Sequence, residues 1–209
     1  MADERIIVSI SFLPPIGYIA ALMKAGEVVI ELDETYPKQT CRNRADIYGP
    51  NGKQTLIVPV SKLRGNHTRT RDIRISYALP WYKIHRRSIE AAYRNSPFFL
   101  YYQDYFLPFF EKKYEFLVDF DSEILETLFR VLQISKEIRF TESYLKQPEG
   151  LLDLRQDLTA KHATAICPPY TQTFAEKHGF IPNLSIIDLL FNVGPETLDY
   201  LKSIPGLIH

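Results

Sequence analysis

The chain has 209 residues, enough for one large domain or two small ones and for a core that needs no covalent staples. Its 45% hydrophobic and 24% charged residues are ordinary for a globular protein, and 13 Tyr with 13 Phe are too many for a disordered one. Its two cysteines, Cys41 and Cys167, form no CxxC pair, which excludes a disulfide scaffold and a cysteine-built metal site and suits reduced thiols in a cytoplasm.

Net charge is zero but uneven. Residues 1–61 carry 6 basic and 7 acidic side chains (−1), residues 62–94 carry 9 and 2 (+7), and residues 95–209 carry 10 and 16 (−6). The middle segment is either an attractor for an anion or a solvated basic face paired with the acidic remainder. A neutral total argues against a nucleic-acid partner.

Arg5–Ser11 reads as a strand, nearly all apolar, as one buried on both faces would be. Pro14-Pro15 turns the chain. Ile16–Ala25 places Ile16, Ile19, Ala20 and Met23 at helical spacing, Gly26 stops that helix, and Glu27–Leu32 is a second strand. Strand, turn, helix and strand in so short a stretch favour a parallel pair. The uncharged run Ile6–Met23 is broken by its prolines and preceded by the net-acidic Asp3, Glu4 and Arg5. It is therefore expected to be buried in the fold, with no membrane insertion.

Asp46–Val60 is predicted to be a hairpin turning at Pro50-Asn51-Gly52. Residues 61–70 form a polar, basic loop, Ile73–Ser76 a short strand, and Trp81–Arg94 a helix ended before Pro97. The aromatic runs over 98–110 suit a packed core or a homodimer interface better than a sugar-stacking surface. Glu111–Val118 and Ser122–Gln133 are expected helices. Asn183 is a candidate N-cap for the apolar helix Leu184–Phe191, and Pro195 opens a last helix. The predicted fold is α/β. A small, mostly parallel sheet with an edge hairpin occupies 1–96, a largely helical half occupies 97–209, and the two form one compact unit.

Three clusters carry candidate chemistry. Asp33, Tyr36, Lys38, Arg42, Asn43 and Arg44 follow the second strand, at the carboxyl end where ligands of open α/β sheets bind. There Lys38, Arg42 and Arg44 would hold an anion, while Asp33 and Tyr36 position the reacting group; the competing reading is a surface loop tied by Asp–Arg pairs. On the 81–94 helix, Trp81 and His85 lie i, i+4 apart, His85 shares a face with Ser88, and Glu90 can pair with Arg94. His85 suits proton transfer but has no serine-triad context. Third come Tyr170, Gln172, Asn183, Ser185 and Asp188. Asp188 stands in an apolar run, so it needs a partner, with arginines 42, 44, 86 and 87 as options. Asp33, His85 and Asp188 are thus the candidates for catalysis, and the others for substrate binding. No GxGxxG, Walker, HExxH or EF-hand spacing is present, so no metal ligands are assigned and the cofactor stays open.

Three ordered segments resemble the WbqC-like family. They are Phe12-Leu13-Pro14-Pro15-Ile16-Gly17-Tyr18 running through Val28-Val29-Ile30 to Asp33–Arg44; Trp81 to Phe99, with His85, Ser88, Tyr93 and Ser96-Pro97-Phe98-Phe99; and Phe180–Asp188, running to Gly194-Pro195-Glu196. Many members carry Gln-Pro where this chain has Ser9 and Ile10. The resemblance implies a bacterial protein of O-antigen or other surface-polysaccharide biosynthesis, acting on an activated sugar such as a nucleotide-sugar. The opening strand–turn–helix–strand is also similar to nucleotidylyltransferases of the HIGH type, but the signature histidines are absent. The readings are therefore a cytoplasmic transferase with a small anionic substrate, or a non-catalytic binding or assembly protein of a biosynthetic cluster. The first calls for a polar cleft between the 33–44 loop and the His85 helix, the second for an exposed apolar patch near 98–110.

Overall fold

Strand β1 (Arg5–Ser9) buries Ile6, Ile7 and Val8 almost completely, as its unbroken apolar run requires. Pro14 and Pro15 end the extended chain and helix α1 (Ile16–Lys24) begins. Pro15 has no side chain able to cap that helix, so the Gly17 N–H donates instead to Oδ1 of Asn183, 2.9 Å away. Strand β2 (Glu27–Glu31) then runs parallel to β1, with Glu27 opposite Arg5 and Glu31 opposite Ser9. These positions come from a computed structural model that describes residues 4–37, 40–62, 65–156 and 167–205.

The hairpin is β3 (Arg44–Gly49) with β4 (Gly52–Ile57). Its positive φ, 94°, falls on Gly52 and not on Asn51. Contrary to expectation, it forms a two-stranded sheet of its own instead of an edge of the parallel one. Two of its amides are spoken for by helix α2 (Trp81–Tyr93): Tyr48 N–H donates to the Tyr93 hydroxyl and Ile57 N–H to His85 Nε2, both at 3.1 Å. Strands β5 (Val60–Ser61) and β6 (Arg74–Ile75) make a second small antiparallel pair, with 3₁₀ turns at Gly65–His67 and Thr70–Asp72 between them.

The aromatic run folds as α3 (Phe99–Phe106) and a 3₁₀ turn, Leu107–Phe110. The helix expected over Glu111–Val118 is absent. Ile75 N–H donates to the Glu115 carbonyl and Phe116 bridges to Arg74, which draws 111–116 out of helical geometry. Helix α4 therefore starts at Leu117 and runs to Val131. Strands β7 (Ile138–Phe140) and β8 (Leu152–Asp153) follow, then the short α5 (Ala175–His178), α6 (Ile186–Val193) and α7 (Thr197–Ser203). Asn183 is not the cap of α6: Ser185 holds that position, and Asn183 serves α1.

The main sheet is all parallel, in the order β7-β2-β1-β8. Two of its four strands come from beyond residue 97. Winding proceeds outward from β1 to β2 and β7, then returns to β1's other side for β8. The order therefore reverses between β1 and β8, the position where open α/β sheets form a crevice at their carboxyl ends.

Among the joints of the helical half, the end of α6 meets Phe98, just ahead of α3, at Gly194. Its φ is 63°, and a Cβ there would lie 2.5 Å from the Phe98 ring. Gly194→Ala combines a strained backbone with a steric clash and is expected to cost about 2 kcal/mol or more. Urea unfolding reads this directly; an unchanged midpoint would contradict the close contact.

Candidate functional site

The carboxyl ends of β1, β2 and β8 carry Ser9, Glu31 and Asp153, followed by Arg155. Glu31 is fully buried and fully engaged. One carboxylate oxygen accepts from Asp33 N–H (2.8 Å) and Thr141 Oγ1 (2.7 Å), and the other from Leu145 N–H (2.9 Å) and Arg155 (3.4 Å). Arg155 also holds Asp153 and the Leu145 carbonyl. This knot pins the segments around 141–145 and 155 to the sheet and leaves no open valence for a ligand.

The 33–44 loop lies over the same edge. Phe12 N–H donates to the Cys41 carbonyl at 2.9 Å. Arg42, 1% exposed, donates through Nε and Nη2 to Oε1 of Glu34 at 2.8 and 2.6 Å, and also to Ser9 Oγ. Asp33, equally enclosed, pairs with Arg69 at 2.8 Å and with Arg71. Asn43 Nδ2 donates to the Val58 carbonyl at 2.8 Å. The tied-loop reading therefore describes Asp33 and Arg42, and Asn43 through its Nδ2, while Asn43 Oδ1 is buried with no partner among the described residues.

Arg44 and Tyr36 differ. Arg44 is half-buried and has no ion pair among the described residues, and its Nε is buried without a hydrogen bond. The Tyr36 hydroxyl is likewise buried and unpartnered. Burial is the main cause of its pKa being raised, with Asp121 adding to the rise and Arg42 and Arg44 opposing it. Lys62 stands 5.0 Å from the Tyr36 ring centre and donates to its carbonyl at 3.3 Å. Lys38 lies outside the described residues.

Asp121, on α4, was not singled out in the sequence. It is fully buried, and neither carboxyl oxygen has a partner among the described residues. Its neighbour Phe120 stacks on Phe12 at 5.5 Å, which sets this turn of α4 against the same edge, and burial lifts the Asp121 pKa well above the usual carboxylate range. The signal was present: Asp121 shares one helical face with Leu117, Ile124, Leu125 and Leu128, all buried. An acid on an apolar stripe calls for a partner or a purpose.

The structure brings His85 beside this edge. Its Nε2 accepts from Ile57, the residue opposite Arg44 in the hairpin, and its ring stacks on Phe12 at 6.0 Å. Trp81 meets the imidazole edge-on at 5.1 Å while its Nε1 donates to the Ser76 carbonyl at 3.0 Å. Ser88 accepts from Gln54 at 2.9 Å. Glu90 pairs with Arg86 on the preceding turn (2.9 Å), not with Arg94, which caps the helix. Because Nε2 is an acceptor, the neutral ring carries its proton on Nδ1, and that N–H is buried without a partner among the described residues.

The third cluster assembles elsewhere in the fold. Asp188 accepts from Tyr93 (2.8 Å), Tyr170 (2.5 Å) and Gln172 (3.1 Å), and no arginine among the described residues reaches it. Burial raises its pKa while these three donors oppose the rise. Ser185 Oγ donates to the Leu13 carbonyl at 2.8 Å, and Asn183 caps α1. These contacts knit α6 to α1, α2 and the 170–172 segment.

The family model of the WbqC-like proteins matches residues 11–166 and 155–200. The chain belongs to the WbqC-like protein family. This WbqC-like chain is 27% identical over 225 residues to "Uncharacterized protein Rv1507c" of Mycobacterium tuberculosis (strain ATCC 25618 / H37Rv), covering 94% of this chain and 96% of that protein. No solved structure matches. Among the described residues, no helix is long and apolar enough to cross a membrane, and no group of three or more His, Cys, Asp or Glu could hold a metal ion.

Burial lowers the His85 pKa to about 4. Between pH 6.5 and 4 the unfolded chain binds a proton here that the folded chain refuses. Stability therefore falls as pH drops through this window, by about 3 kcal/mol from this one group, and levels off below it. His85→Gln can still accept the Ile57 N–H and is expected to flatten the decline in urea midpoint. A decline identical to that of the wild type would contradict a buried neutral imidazole.

Proposed function

We propose that this WbqC-like chain is a cytoplasmic transferase-type enzyme acting on an activated sugar or other anionic, nucleotide-like substrate in surface-polysaccharide biosynthesis. The observation that carries the reading is Arg44, a half-buried arginine outside every ion pair among the described residues, at the start of the hairpin two residues past the Arg42 that ties the loop to the carboxyl end of β1. Burying such a group without a counter-charge is costly, and a planar fork of donors matches phosphate or carboxylate. Lys62 stands 5.0 Å from the Tyr36 ring centre, and Lys38 lies between Tyr36 and Arg44 in sequence. In this reading Asp33 orients Arg69 and Arg71, whose partly exposed guanidinium groups form a rim for the same anion. His85 supplies an N–H donor from the adjoining helix. Asn183, Ser185 and Asp188 hold the helices that support the edge. The polysaccharide context rests on the family resemblance, and the compartment on two free, buried thiols.

A second reading, a binding or assembly protein of a biosynthetic cluster, is favoured by one feature. Leu100, Tyr101 and Tyr105 are 72%, 73% and 45% exposed on α3, a surface suited to a homodimer or another subunit.

The test is a thermal-shift screen against nucleotides and nucleotide-sugars, with and without magnesium. A ligand at about a hundred times its Kd stabilises the fold by about 2.7 kcal/mol. The transferase reading expects a hit that Arg44→Ala abolishes while the variant stays folded. No shift across the panel would favour the assembly reading.

A further inference from the structure

We infer that Asp121 and Tyr36 form the floor of a subsite for the hydroxyl-bearing part of the ligand whose anionic part Arg44 holds. This rests on the anion-binding reading of Arg44 and names the substrate class more closely: a phosphorylated, polyhydroxylated compound entering sugar first.

The argument starts from an imbalance. Buried polar atoms in folded proteins are nearly always hydrogen-bonded, and each exception calls for an explanation. Among the described residues a few other buried atoms also lack partners, Asn43 Oδ1 and His85 Nδ1 among them, but the buried acids other than Asp121 do not. Glu31, Glu34, Asp33 and Asp188 are all buried acids, and each is held by two or more donors or by arginine. Asp121 is buried as deeply and has neither among the described residues. The Tyr36 hydroxyl in its field is also unpartnered, and so is Arg44 Nε beyond it.

The chemistry of the pair selects the ligand. A fully buried carboxyl with no counter-charge among the described residues favours its neutral form, and burial lifts the Asp121 pKa in that direction. The same burial keeps the Tyr36 hydroxyl protonated. A carboxylic acid and a phenol each donate one hydrogen bond and accept others. Their complement is a group that does the same, which an alcohol is and a phosphate is not. The phosphate belongs at Arg44, the permanent cation nearer the surface. Buried groups left unpaired by a ligand lacking its hydroxyls would discriminate strongly against it.

The experiment measures binding by calorimetry for UDP-, dTDP- and GDP-sugars and for the parent diphosphates. The proteins are the full wild-type chain, Asp121→Asn, Tyr36→Phe and Arg44→Ala. The wild type is expected to bind a nucleotide-sugar about tenfold or more tighter than its parent diphosphate. Asp121→Asn and Tyr36→Phe are expected to melt no lower than the wild type and to lose that advantage while binding the bare diphosphate unchanged. Arg44→Ala is expected to weaken both ligands together. Retention of the sugar advantage in the first two variants would overturn the subsite and leave the anion reading standing. Loss of that advantage, with Arg44→Ala binding as the wild type does, would uphold the subsite and overturn the role of Arg44. If Asp121→Asn does not fold, Tyr36→Phe alone decides. A wild-type chain that shows no sugar advantage, or binds nothing in the panel, overturns the subsite.

Discussion

A guanidinium removed from water must be answered by an acid, and Arg42 at the carboxyl end of β1 imposes that demand on its surroundings. Glu34 meets it from eight residues upstream and Ser9 from the end of β1. Those two contacts close the 33–44 loop onto the sheet. The closed loop places Cys41 under Phe12, sets Arg44 at the head of the hairpin, and brings Ile57 against His85. The candidate site is a consequence of this one buried pair.

The same economy of charge runs through the basic middle segment. Arg69 and Arg71 meet Asp33, Arg74 meets Glu115, and Arg86 meets Glu90 and Glu111. Three acids from outside the segment, Asp33, Glu111 and Glu115, thus offset part of its local excess of seven positive charges. The exposed pairs contribute little each. Their effect is to leave the half-buried Arg44 distinct from its neighbours, with its charge uncommitted.

Local signals carried part of this architecture. β1, α1 and β2 announce themselves by apolar runs and prolines, and the hairpin by Pro50-Asn51-Gly52. β7 and β8 do not, because strands of three and two residues exist only through their parallel pairing with β2 and β1. The segment over 111–116 has helical composition, yet pairing with Arg74 and Ile75 outweighs that preference. The 33–44 cluster was legible because its residue types converge in one short loop. Its division into committed and free members was not, since Asp33 finds its partners 36 and 38 residues away. Asp188 drew attention as an acid in an apolar run. Asp121 carries the same mark on α4 but is masked by the ordinary acids Asp119 and Glu123 on either side.

The claim on which everything else depends is that Arg42 belongs to the fold and Arg44 to a ligand. Equilibrium urea unfolding of Arg42→Ala and Arg44→Ala, side by side without ligand, tests it most directly. Removing one partner of a buried pair leaves Glu34 uncompensated, so Arg42→Ala is expected to lose about 3–5 kcal/mol. Arg44→Ala breaks no ion pair among the described residues and is expected to stay within about 1 kcal/mol of the wild type. Equal losses in the two variants would contradict the account, because Arg44 would then be one more structural arginine.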